Sequence, residues 1–98
     1  IQRESTNYNY DYTTGELVSY SIYKYNEAGK TLTSTTYDAN DMVTSASEYE
    51  YYEDGEKKQE TYYGIGRRLE RIYKYYEDGT RKENTNYNYD YNFLLFLQ

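Results

Sequence analysis

The chain reads as an all-β protein, an antiparallel meander of about six to eight strands in a single-layer or strongly curved sheet. Three features predict this fold. A tyrosine- and glycine-marked segment recurs along the chain, apolar residues alternate by two, and tyrosine outnumbers the usual core formers. Leu, Ile, Val and Phe together supply 14 of the 98 residues, against 18 tyrosines. So polar a chain, with a net charge of −6, would lean towards disorder. Tyrosine opposes that tendency, because each ring buries a large apolar area while its hydroxyl finds water or a partner. Tyrosine and threonine also favour the half-buried surface of a pleated sheet.

The repeat is explicit. Tyr23-Lys24-Tyr25-Asn26-Glu27-Ala28-Gly29, Tyr49-Glu50-Tyr51-Tyr52-Glu53-Asp54-Gly55 and Tyr73-Lys74-Tyr75-Tyr76-Glu77-Asp78-Gly79 align without gaps, 26 and 24 residues apart. Weaker breaks at Asp38 to Asp41 and at Gly64-Ile65-Gly66 fall between them, so one repeat holds two strands and two turns. A further Tyr-x-Tyr element stands near each end, as Thr6 to Tyr12 and again as Thr85 to Tyr91. Residues 1–98 are expected to form one domain, since this length cannot supply two separate cores.

The strands follow in order. The first contains Tyr8 to Tyr12, and the next are Leu17 to Tyr25, Thr31 to Tyr37 and Val43 to Tyr51. Lys57 to Tyr63, Arg67 to Tyr75 and Arg81 to Tyr89 complete the series. Glu-Asp-Gly and Glu-Ala-Gly suit a type I turn closed by a left-handed glycine. If every loop has three residues, paired residue numbers sum to an even value and odd faces odd throughout. Tyr25 then pairs with Thr31, Tyr37 with Val43, Tyr51 with Lys57, Tyr63 with Arg67, and Tyr75 with Arg81. One face becomes a tyrosine pavement holding Tyr23, Tyr25, Tyr49, Tyr51, Tyr73 and Tyr75, together with Tyr37, Tyr63, Leu69, Tyr87 and Tyr89. The even face is a patchy mixture of apolar and charged residues, on which Glu48, Glu60 and Glu70 form a row. Like charges placed opposite one another are destabilising, so such a row points to a cation site or an acid of raised pKa, or else to diagonal neutralisation by Lys58 and Lys74 or to a different register.

Composition removes most catalytic chemistry. The chain has no histidine and no cysteine, which excludes the commonest general base and thiolate or imidazole metal sites. Its serines therefore lack a histidine to activate them. Gly64-Ile65-Gly66 is too short for a phosphate loop, and no calcium-loop pattern occurs. We expect no enzyme activity, no cofactor and no bound metal. The acidic balance argues against nucleic acid as a partner, although the C-terminal half is nearly neutral. The longest apolar run, Phe93 to Leu97, is too short to span a membrane. It is expected to cover a sheet edge or to join a second chain, and open sheet edges offer another route to a homo-oligomer. The opening Ile1, without a charged-then-apolar leader, suggests a mature secreted protein or a fragment of a longer one.

The Tyr-x-Tyr-x-x-x-Gly elements, followed by Thr/Ser-rich or Lys/Arg-rich strands, resemble bacterial YD-repeat (Rhs-type) proteins. The Tyr-Tyr-Glu-Asp-Gly segments ending at Gly55 and Gly79 are similar to MORN-type repeats. The alternating Lys/Glu/Thr strands look like the single-layer sheet of a spirochaetal outer-surface lipoprotein. The likeness spans roughly residues 8 to 91. The chain lacks the Gly-Arg-Leu that follows the turn in YD repeats and has fewer glycines than MORN repeats. What the resemblance implies is an extracellular or cell-surface bacterial β-repeat, serving as scaffold or binding surface. The expected function is accordingly non-enzymatic, structural or protein-binding. The alternative is a carbohydrate-binding module using Tyr23, Tyr25, Tyr49, Tyr51, Tyr73 and Tyr75, since aromatic rings on a flat sheet can stack on sugars. A third reading is an acid-base enzyme built on Glu48 and Glu60.

Overall fold

The computed structural model describes residues 3–89. Seven strands follow one another as β1 (Glu4–Tyr10), β2 (Leu17–Tyr25), β3 (Thr31–Asp38), β4 (Val43–Tyr51), β5 (Lys57–Tyr63), β6 (Leu69–Tyr75) and β7 (Arg81–Asn86). They form one antiparallel sheet in sequence order, not closed into a barrel. Apart from a single 3-10 turn at Ile65–Arg67 there is no helix among the described residues, and no described helix is long and apolar enough to cross a membrane. Tyr12, Arg67 and Tyr89, expected inside strands, lie outside them. The role expected for Phe93 to Leu97 falls outside the described residues.

The turns form as their residues dictate. At the Glu-Ala-Gly and Glu-Asp-Gly hairpins, Asn26, Tyr52 and Tyr76 each exchange backbone bonds across a three-residue loop. Gly29, Gly55 and Gly79 take φ of 85°, 95° and 90° there, a region closed to most side chains. Asp41 and Arg67 occupy the same left-handed position in the two hairpins that lack glycine there. The first loop is one residue longer, with Asp11 N–H bonded to Glu16 C=O and Gly15 N–H to Asp11 C=O.

From β2 onwards the even-sum register does not survive beyond the first pair of each hairpin, whereas in β1–β2 the four-residue loop and the bulge at Val18 together keep it. Tyr25 does face Thr31, and Lys24 then faces Thr33, leaving Leu32 as an extra residue. The same bulge recurs at Val18, Thr44, Lys58, Glu70 and Lys82. A bulge opposes two residues to one and so changes the parity of everything beyond it. Tyr63 pairs with Leu69 rather than Arg67 for a different reason: the three-residue loop is Ile65–Arg67, closed by Gly64 and Arg68, and not Gly64-Ile65-Gly66. Across β2 to β7, the parity of each strand is opposite to that of its neighbour, and two successive hairpins restore it.

This arithmetic divides the tyrosines between two faces. One, the Tyr49 face, carries Tyr23, Tyr25, Tyr49, Tyr51, Tyr73 and Tyr75 from β2, β4 and β6, with Glu60 and Tyr62 from β5. The other, the Tyr20 face, carries Tyr8, Tyr10, Tyr20, Tyr37 and Tyr63, of which unbroken parity puts Tyr37 and Tyr63 on the opposite, odd-numbered face. Tyr37 and Tyr63 thus leave the expected pavement. The carboxylate row also dissolves: Glu48 faces Thr33 and Thr61, whereas Glu60 faces Tyr49 and Tyr73.

The sheet has almost no interior. Ala46 is the sole buried hydrophobic residue among those described, and no large side chain is fully buried. Thr35, Ala46 and Thr61 are buried and belong to the Tyr20 face, where Arg67 of the 3-10 turn donates to Thr35 Oγ1 at 3.5 Å. Half-buried rings and cross-strand side-chain bonds replace a core. Hydroxyls also tie one hairpin to the next: Tyr51 donates to Thr31 C=O and Tyr52 to Tyr75 C=O, both at 2.6 Å.

Because Lys58 is the bulged residue, its removal would leave a regular ladder with Glu60 and Tyr62 still on the Tyr49 face. Removing Thr61 instead would send Glu60 or Tyr62 to the opposite face. Deleting Lys58 is expected to change stability by less than about 1 kcal/mol. Deleting Thr61 should cost at least about 2 kcal/mol. Urea denaturation of both single-residue deletions checks this.

Candidate functional site

The Tyr49 face is organised around one carboxylate. Glu60 lies at the middle of β5 and is 8% exposed. Its Oε2 accepts from Lys57 Nζ at 3.1 Å and from Tyr62 OH at 2.8 Å, and its Oε1 accepts from Tyr75 OH. The Lys57 contact depends on the bulge. In an unbroken strand residues three apart point to opposite faces, but the extra residue Lys58 brings Lys57 and Glu60 to the same side.

Electrostatics follow from this geometry. Burial works against the charge on Glu60, yet the hydrogen bonds from Tyr75, Tyr62 and Lys57 outweigh it and hold its pKa below the ordinary value. The Glu60 carboxylate raises the pKa of Lys57. Tyr75 is pushed up chiefly by its bond to Glu60, and Tyr62 chiefly by burial and then by the same carboxylate. Glu60 is therefore a fixed anion, unlike a raised-pKa acid. Glu48 stands on the Tyr20 face, where it accepts from Tyr63 OH at 2.6 Å. The two carboxylates proposed to act together are separated by the sheet itself, so the acid-base reading built on them falls.

Around Glu60 the rings form a row across β4, β5 and β6. Tyr49 and Tyr62 meet edge to face at 6.4 Å and 90°, and Tyr62 and Tyr73 at 6.0 Å and 77°, the geometry the ring quadrupole favours. Cations cap both outer members, with Lys57 5.2 Å from the Tyr49 centroid and Arg81 5.0 Å from Tyr73, and Lys30 lies 5.5 Å from Tyr51 on the same face. Tyr25 OH is bonded to Ser5 Oγ at 2.8 Å. Tyr23 borders a shallow depression with Tyr49, Tyr51 and Ser34. All six tyrosines singled out from the sequence thus share this face, most of them engaged within it. An open groove of about 580 Å³ passes Tyr51, Lys57, Glu60 and Tyr75 at the glycine-turn end. A second, of about 480 Å³, is lined by Ser34, Ser45 and Ser47 together with Tyr62, Arg71 and Tyr73.

Sequence reasoning missed the aromatic row on the other face. Tyr10, Tyr8, Tyr20 and Tyr37 stand in succession, with centroids 6.5, 5.9 and 4.9 Å apart and interplanar angles of 29°, 32° and 17°. Tyr20 donates to Asp41 Oδ1 at 2.5 Å, and that bond pushes its pKa up to about 12. Tyr8, Tyr10 and Tyr20 keep the even parity expected of them, and Tyr37 joins them only through the bulge at Leu32. Among the described residues no group of three or more acidic side chains is placed to hold a metal ion.

Fold and site together define an open, single-layer antiparallel meander with an aromatic cluster on each face. Compared with known proteins, the chain matches no family model and no curated protein. A solved structure, that of TarM, overlaps 88% of the chain at a TM-score of 0.39 and 14% identity, and the chain spans 18% of the TarM chain. A likeness at that level carries no argument about function.

Proposed function

We propose that the chain is a non-enzymatic β-repeat module with a structural or protein-binding role, placed outside the cell or on a bacterial surface as its resemblance to YD-type repeats implies. The supporting observation is the engagement of the Tyr49 face. Its outer rings lie beneath Lys30, Lys57 and Arg81, and the hydroxyls of Tyr25, Tyr51, Tyr62 and Tyr75 bond within the sheet. Rings so occupied serve the sheet first, and a sugar would have to displace a cation to stack on them.

A glycan array with the unmodified chain separates this reading from the carbohydrate-binding one. No glycan should be retained, and Tyr51→Ala or Tyr75→Ala should change stability alone. Retention of a glycan that is lost in either variant, with the far-UV circular dichroism unchanged, would overturn it in favour of a sugar-binding face.

A further inference from the structure

The two edge strands of the described sheet are nearly the same strand. Glu4 to Tyr12 and Glu83 to Tyr91 differ in sequence only at Ser5 and Asn84. Their partners repeat as well, since Ile22-Tyr23-Lys24-Tyr25 in β2 recurs as Ile72-Tyr73-Lys74-Tyr75 in β6. The pairing is also the same residue for residue. Glu4 faces Lys24, Ser5 faces Tyr23 and Thr6 faces Ile22 in β1–β2. Glu83 faces Lys74, Asn84 faces Tyr73 and Thr85 faces Ile72 in β6–β7. The one strand precedes its partner and the other follows it, so this strand sequence pairs with Ile-Tyr-Lys through either of its edges. Both strands also run in the same direction and put their threonines on the same face.

We propose that a second copy of this chain, or of its repeat, joins the sheet edge to edge through a shared strand. β7 of one copy seats on β2 of the next, in the place and register of β1, so that Glu83 meets Lys24, Asn84 meets Tyr23, Thr85 meets Ile22 and Asn86 meets Ser21. The exchange replaces each cross-strand pair by a nearly identical one, which is why it costs little, as in other swaps of equivalent elements. It also covers a sheet edge that no other described strand pairs with. The loop from Asp11 to Glu16 opposes it, because β1 is tethered to its own β2 at an effective concentration on the order of millimolar. Exchange is therefore slow to accumulate at dilution and favoured where copies are held together.

The absence of cysteine makes a clean trap available. Ser21→Cys and Asn86→Cys are made in separate chains carrying tags of different size, mixed at high concentration and held under mild oxidation. Within one chain β2 and β7 are five strands apart, about 24 Å at about 4.8 Å per strand, well beyond disulfide reach. The expected result is a mixed disulfide several-fold above that of Ser21→Cys with Glu83→Cys, which is out of register. A second pair, Ile22→Cys with Thr85→Cys, reads the opposite face and covers the case in which one variant folds poorly. Mixed disulfides no more abundant than the out-of-register control, for both pairs, overturn the proposal. This inference deepens the scaffold reading, and the two fail separately: trapping bears on self-association, the glycan array on the tyrosine face.

Discussion

Replacing Glu60 by alanine is expected to destabilise the sheet by on the order of 3 kcal/mol, because hydrogen bonds to a charged group contribute about 1.5–3 kcal/mol and three donors lose their acceptor together. Glu60→Gln, which keeps an amide oxygen on the same stem, should lose about half as much. The matching change at Glu48, whose bond to Tyr63 is exposed, should cost under about 1 kcal/mol. Urea midpoints for the three variants decide the order, and a Glu60→Ala midpoint equal to that of Glu48→Ala would refute the central role given to Glu60.

The same carboxylate sets the pH profile. Its folded pKa lies below the ordinary 4.5, so its contribution is fully present above 4.5 and is lost as pH falls through the folded value. Tyr75 and Lys57 have folded values raised above 10.0 and 10.5. Their contribution is fully present below those ordinary values and is lost as pH rises through the raised ones. Stability should therefore decline at both extremes, and Glu60→Gln should flatten both limbs.

Tyr62→Ala is expected to cost about 3 kcal/mol, the lower end of the range for large aromatic truncations, since the ring is half-buried. It removes the middle member of the Tyr49–Tyr62–Tyr73 row and one donor to Glu60. Tyr62→Phe keeps the ring contacts and should cost about 1 kcal/mol. Combined with Glu60→Gln, Tyr62→Phe should cost less than the sum of the two, because both remove the same bond. Thermal and urea unfolding of the four chains closes this cycle, and strict additivity would show that the hydroxyl and carboxylate act independently.

Hairpin order, turn positions and antiparallel meander were legible because glycine and tyrosine mark each repeat and β-alternation is local. Gly29, Gly55 and Gly79 occupy the left-handed positions that their turn sequences required. The six repeat tyrosines were also expected to share a face, and they do. That placement is a consequence of symmetry: two bulges per repeat cancel, so β2, β4 and β6 keep a common parity whatever lies between them. The strands in between were placed wrongly for the same reason. Val18, Leu32, Thr44, Lys58, Glu70 and Lys82 share no residue type or charge; what they share is a place three residues after the left-handed turn residue (Gly15, Gly29, Asp41, Gly55, Arg67 and Gly79), a spacing that even-sum pairing leaves out.

The amino-acid sequence by itself determined an all-β hairpin array, the turns that close it and the absence of histidine and cysteine chemistry, since each depends on neighbouring residues alone. The tertiary structure decided which side chains meet. Six one-residue bulges moved Tyr37 and Tyr63 to one face, set Glu60 among Lys57, Tyr62 and Tyr75 on the other, and put Glu48 out of its reach. A side-chain period of two makes every such shift a change of face, and the extra residue is accommodated through pairing between strands that the chain order alone does not specify.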